Sequence, residues 1–198
     1  MLGFIRLMIR TFARPSKQQR PRTFTPVLDN TWDTTKKKAQ STAYVLTNLE
    51  RLPEAKVVHV MDGDSLIVAQ GRHRTEIRLD SIDCPEGGQD WGGQAKGGLI
   101  NLVYGRRLML EEHGLDDYGR TLATIYVWPA DREEPMNVNE QMVMRGHAWV
   151  MRKYYDHLPP DRQAKLNRLE TWARSKRVGL WGTENPIPPW QWRRKQGV

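Results

Sequence analysis

From Lys56 onward the chain alternates apolar and polar residues in short runs, each closed by a turn signal. Lys56–Met61 (KVVHVM) is β-branched and apolar, a strand pattern, and Asp62-Gly63 ends it in a turn. Ser65–Ala69 is a second strand. Thr75–Asp80 is a third, with Ile77 and Leu79 on one face and Glu76, Arg78 and Asp80 on the other. Gln94–Tyr104 changes period: Ala95, Leu99, Leu102 and Val103 recur at helical spacing, and Gly105 stops the run. Arg107–Glu111 and Leu122–Trp128 are two more strands, on either side of a Tyr118-Gly119 turn. A short helix follows over 139–145, opened by a capping Asn and closed by Gly146. Another helix starts at Pro159-Pro160, carries Leu166, Leu169 and Ala173 on one face, and runs to Gly179. Leu180-Trp181 packs back on the core.

Five strands with a helix inserted after the third, then helices, predict an α+β fold, mainly β. The specific expectation is a five-stranded OB-type Greek-key barrel with about three flanking helices, a frequent carrier of nucleic acid. Three segments are expected: a basic, largely irregular arm (1–50), the barrel domain (51–185) and a Pro/Trp-rich basic tail (186–198) that wraps the domain. No internal repeat is visible.

Charge changes this picture only locally. Lys and Arg number 31 and Asp and Glu 23, a net charge of +8, which suggests a polyanionic partner. Residues 1–50 hold nine of the basic residues and three of the acidic ones. Most of the excess therefore lies in the arm, and a phosphate grip within the barrel has to come from particular arginines. In residues 1–14, Leu2, Ile5, Ile9 and Phe12 share a helical face interrupted by Arg6 and Arg10. That is no clear secretory signal, but it allows weak contact with a membrane surface. No apolar run approaches the roughly 20 residues of a spanning helix. The compartment stays open: cytoplasmic, or exported through an atypical N-terminus. A monomer is expected. Cys84, the one cysteine, excludes an intrachain disulfide.

Three polar signatures stand out between Val60 and Arg120: Asp62-Gly63-Asp64-Ser65, Ile77 through Glu86 (IRLDSIDCPE), and Asp116-Asp117-Tyr118-Gly119-Arg120. Asp64 and Asp83 sit at strand ends, where two carboxylates, a backbone carbonyl and waters can hold Ca²⁺. Glu86 is placed to polarise a water for attack on phosphorus. Arg78 and Arg120 offer forked donors to phosphate oxygens. One cysteine, and five histidines (His59, His73, His113, His147 and His157) without ligand spacing, give no zinc signature. Singly, each signature is weak: Asp62-Gly63 is a common turn, and Arg78 alone on a strand is usually a surface residue. Their joint occurrence on a five-strand pattern is much more specific.

The chain resembles the thermonuclease, or staphylococcal-nuclease-like, family over about residues 54–185. The motifs are DGDS at 62–65, IRLDSIDCPE at 77–86, DDYGR at 116–120, VNEQMV at 138–143 and RVGLW at 177–181. The resemblance implies an OB-type barrel that hydrolyses DNA and RNA with Ca²⁺, cutting the P–O5′ bond to leave 3′-phosphates, with single strands preferred. It implies Asp64, Asp83 and the main-chain carbonyl of Cys84 as calcium ligands, Glu86 as general base, and Arg78 and Arg120 as phosphate arginines. Tyr118 would contact nucleotide phosphate, and Tyr154 would line the nucleotide pocket. Ser65 stands where the family usually has Thr, Asp117 where it has Lys or Arg, and Met151 or Arg152 near a position often held by a stacking tyrosine. The rival expectation is a non-catalytic OB module that binds nucleic acid or a protein.

Overall fold

A computed structural model describes residues 48–129 and 134–197. The expectations for residues 1–47 lie outside the described residues. Five main strands are present: β1 (Glu54–Val60), β2 (Ser65–Gln70), β3 (His73–Leu79), β5 (Arg107–Leu115) and β6 (Thr121–Val127). Two-residue strands β4 (Ile82–Asp83), β7 (Met136–Asn137) and β8 (Trp149–Val150) are added to them. β1, β2 and β3 form an antiparallel meander, β5 pairs with β1 and β6 with β5, and a parallel β3–β6 pairing closes the ring. The result is the expected OB-type five-stranded barrel.

The alternation read in the sequence is the reason the ring closes with a dry interior. Leu66, Val68, Ile77, Leu79, Leu108, Leu110, Ala123, Ile125 and Val127 all point inward and are buried. Burying each large aliphatic side chain contributes about 1.5–3 kcal/mol. Helix α1 (Gly92–Val103) adds Ala95, Leu99, Leu102 and Val103 to the same core. Helices α2 (Val138–Met144) and α3 (Pro160–Ser175) pack on one another. A smaller aromatic cluster forms around Trp149 and Trp181, whose rings meet edge to face at 5.0 Å.

Two local expectations are corrected. The residue capping α2 is Asn137, whose Oδ1 accepts the Glu140 N–H at 3.0 Å. Asn139 is buried instead: its Nδ2 donates to the carbonyls of Asp80 (2.9 Å) and Ala123 (3.2 Å), and its Oδ1 accepts the Ile125 N–H (3.1 Å). It therefore ties the end of β3 to β6. Helix α3 stops at Ser175, short of Gly179, because Arg177 turns left-handed (φ 52°) and the Val178 N–H bonds back to the Ala173 carbonyl at 2.9 Å, a Schellman-type closure. The tail forms a fourth α-helix, α4 (Pro189–Gln196), among the described residues. It packs against the domain: Trp190 lies edge-on to Trp149, and Gln89 Nε2 donates to the Ile187 carbonyl at 2.5 Å. No described helix is long and apolar enough to cross a membrane.

The β1–β2 turn shows why the DGD signature needs its glycine. A Cβ at Gly63 would stand 2.7 Å from Cys84 Cβ and 2.8 Å from Ala95 Cβ. Both neighbours are buried and neither can swing away. Gly63→Ala is expected to destabilise the protein by about 1–3 kcal/mol through overpacking. Urea denaturation checks this, and a midpoint equal to wild type would show that the turn relaxes freely.

Candidate functional site

Barrel closure brings the three signatures together. In register, Ser65 on β2 pairs with Arg78 on β3, and Arg78 pairs with Leu122 on β6. Asp64 therefore enters from the start of β2, Arg78 from β3, and Arg120 from the residue preceding β6. The β4–β8 bridge sets Asp83 opposite Trp149 and fixes the other wall. A cleft of about 710 Å³ opens here. Asp64, Arg78, Cys84, Glu86, Tyr118, Arg120 and Tyr154 all line it.

The acidic part of the site is deep. Asp64 is 3% exposed and Asp83 is fully buried. Asp64 Oδ2 accepts the Cys84 N–H at 2.7 Å, and its Oδ1 pairs with Arg78 Nη1 and takes the Ser65 hydroxyl at 3.2 Å. Asp62 Oδ1 accepts the Asp64 N–H at 3.0 Å and tightens the turn. Arg78 Nη2 reaches Asp83 Oδ1 at 2.7 Å, so one guanidinium spans both carboxylates. Burial, the largest cause, pushes the Asp64 carboxyl up to about 7. Asp62 and Asp83 add to that rise, while Arg78 and the Cys84 N–H oppose it. Burial, then Asp64 and Asp83, also push the Cys84 thiol well above its ordinary value. The thiol stays protonated, so its sulfur is a poor metal ligand.

The basic part lies closer to solvent. Asp116 shapes the turn before β6: its Oδ1 accepts the N–H groups of Tyr118 and Arg120, both at 2.9 Å. Its Oδ2 takes Arg120 Nε and Nη2, both at 2.7 Å. Arg120 Nη1 is directed toward Ser65 Oγ, at 3.5 Å. Burial raises the Asp116 carboxyl, but these donors outweigh it and hold the group below its ordinary value. Tyr118 is 85% exposed, and its ring centroid lies 5.4 Å from the Arg120 guanidinium carbon. Tyr154 is also exposed, beside Lys153. Both tyrosines thus present aromatic surface at the rim.

One participant was missed by the sequence reading. Arg193 on α4 reaches the site with Nη2 at 2.9 Å from Asp83 Oδ2 and Nη1 at 2.5 Å from Glu86 Oε1. The available signal was slight: Trp190 and Arg193 are three residues apart behind Pro188-Pro189, the spacing of a helix face.

The donor set fits a hard divalent cation. The carboxyl groups of Asp62, Asp64, Asp83, Glu86 and Asp116 outnumber the guanidiniums of Arg78, Arg120 and Arg193 by two. All the available donors are oxygens, the type that hard cations take. A buried carboxyl raised to about 7 by burial and neighbouring carboxylates is one that a nearby cation would return to its ionised form.

Comparison with known proteins is consistent with the geometry. A family profile described as "Staphylococcal nuclease homologue" matches residues 76–183. The chain belongs to that family. It is 38% identical over 143 residues to "Protein ParB" of Escherichia coli, spanning 71% of this chain and 78% of that one. It is 38% identical over 142 residues to "Micrococcal nuclease" of Shigella flexneri, spanning 70% and 79%. An "Uncharacterized endonuclease" of Haemophilus influenzae is 39% identical over 144 residues, spanning 72% and 74%. The family profile takes in Arg78, Asp83, Glu86 and Arg120, whereas Asp64 precedes it and α4 follows it.

Proposed function

We propose that this staphylococcal nuclease homologue is a Ca²⁺-dependent endonuclease that hydrolyses DNA and RNA, single strands in preference to duplexes. The observation carrying this reading is the convergence of Asp64, Glu86, Arg78 and Arg120 in one cleft, with the buried Asp83 carboxylate 2.7 Å from Arg78 Nη2. The names of the relatives point the same way.

In this reading Asp64, Asp83 and the Cys84 carbonyl would hold the calcium, which would supply charge stabilisation at the phosphate. Glu86 takes a proton from the attacking water. Arg78 and Arg120 donate to the non-bridging oxygens as the five-coordinate phosphorus forms. Asp116 pre-orients Arg120 through Nε and Nη2, so the arginine is aimed before substrate arrives. Tyr118 and Tyr154 flank the cleft as a phosphate contact and a base-facing surface. A cleft lined by these groups suits a splayed strand, which is why duplexes are cut more slowly.

Product analysis of a cut oligonucleotide tests the reaction. Ends that polynucleotide kinase labels directly, without prior phosphatase treatment, are 5′-hydroxyls and accompany 3′-phosphates. Directly labelled ends are expected, and 5′-phosphate ends would refute P–O5′ cleavage.

Arg193 gives a further expectation. It and a divalent cation both neutralise Asp83, so they compete. Arg193→Ala is expected to lower the Ca²⁺ concentration needed for half-maximal cleavage by roughly 3–10-fold, the factor that an interaction of about 0.7–1.4 kcal/mol corresponds to. An unchanged midpoint in a calcium titration would show that Arg193 does not compete with calcium.

A further inference from the structure

Beside the cleft, three residues far apart in sequence meet: Asp80 just after β3, His113 on β5, and His157 in the loop before α3. Ser81, which follows Asp80, has φ 63°. One potential ligand atom from each lies within 4.8 Å of the other two. The imidazoles face each other with ring centroids 4.9 Å apart and planes tilted by 49°. Asp80 is 2% exposed, and its Oδ2 lies 2.9 Å from His157 Nε2.

The fold positions each group. His113 falls at a bulge: Glu112 pairs with Ala123 and Gly114 with Leu122, which leaves His113 unmatched in the ladder. Gly114 has φ 111°, a conformation that lets the strand bend. Bulges of this kind redirect a side chain. Thr124 Oγ1, 3.0 Å from His113 Nε2, orients that ring. The Ser81 hydroxyl donates to Asp80 Oδ2 at 2.7 Å, and Asn139 holds the Asp80 carbonyl. Arg162 Nη1 donates to both Glu111 carboxylate oxygens, at 2.8 and 2.9 Å, which offsets its charge.

We propose that Asp80, His113 and His157 form a second metal site, for a transition metal of the zinc class. Two imidazoles and one carboxylate are a donor set that zinc, cobalt and nickel accept and that calcium disfavours. Ligands at about 2.0–2.2 Å around a tetrahedral ion lie roughly 3.4 Å apart. Closing the observed trio therefore takes shifts of about an ångström, well within reach of the half-exposed His157 side chain. Solvent reaches the site past His157 and supplies the fourth ligand. Metal bound here ties the loop before α3 to the barrel and to the turn that presents Asp83 three residues later. The site is independent of the nuclease reading, because none of its ligands belongs to the calcium cluster.

Co²⁺ reports on it directly. The full chain, with excess Ca²⁺ present, is titrated with Co²⁺, and the visible d–d absorption of a low-coordinate nitrogen-and-oxygen site is followed. One Co²⁺ per chain should develop the band, and Zn²⁺ should abolish it. His157→Ala, which alters an exposed loop residue, and His113→Ala should each lose the band, while Glu86→Gln should keep it. Zn²⁺ should raise the thermal midpoint of the wild type and leave that of His157→Ala where it was. Absence of a band in the wild type, or an undiminished band in His157→Ala, overturns the site.

Discussion

Glu86→Gln is expected to lower kcat on a single-stranded oligonucleotide by about 10²–10⁴-fold, the usual contribution of a positioned general base. The substitution keeps the shape of the side chain and its hydrogen-bonding oxygen but removes the ability to accept a proton. The Glu86 side chain is about one-third exposed and its backbone N–H donates to Gln89 Oε1 at 3.2 Å. Its loop is held by the backbone, so the protein should stay folded and bind substrate with similar affinity. Single-turnover cleavage with a parallel fluorescence-anisotropy binding curve separates the two effects. A variant within about threefold of wild-type kcat would remove Glu86 from the proton transfer.

Arg78→Ala should be the most damaging single change, because it acts twice. As a phosphate donor its loss is expected to reduce kcat by about 10²–10³-fold, the scale of one preorganised donor. As the guanidinium that spans Asp64 and Asp83, it also offsets two buried like charges. Removing one partner from such a cluster costs about 3–5 kcal/mol of stability. Asp64, already raised to about 7 by burial, would lose the group that pulls it back down. The stability deficit should therefore shrink when Ca²⁺ is added, while kcat stays low. Denaturation with and without Ca²⁺, beside a cleavage assay, checks both halves. A destabilised variant that calcium does not help would show that the two carboxylates are not the cation site.

Much of this was legible along the chain. Ile77 and Leu79 alternate with Glu76, Arg78 and Asp80, and that period-two pattern placed Arg78 on the face opposite the barrel interior. The three polar signatures collected residues that line one cleft, because each sits at a strand end where the chain turns. Long-range side-chain roles were less legible. Asn139 looked like a cap, yet its amide binds Asp80, Ala123 and Ile125, which lie 59, 16 and 14 residues away. His113 and His157 showed no ligand spacing, because a bulge and a loop bring together two residues 44 positions apart in sequence. Arg193 sits in a Pro-rich tail whose helix is only two turns long, too short for a periodic signal. In each case the missing information was tertiary: a partner supplied by folding, not by neighbours in sequence.

The central claim is a calcium-dependent phosphodiesterase at the Asp64–Asp83–Glu86 cluster. Its most direct test is hydrolysis of a fluorescent single-stranded DNA oligonucleotide in millimolar Ca²⁺ and in a calcium chelator, with Glu86→Gln run in parallel. Cleavage that requires calcium and collapses in the variant is the predicted result. Cleavage that persists in chelator, or is equal in the variant and the wild type, would contradict the account. Tight binding with no cleavage under any metal would instead make the protein a nucleic-acid-binding barrel.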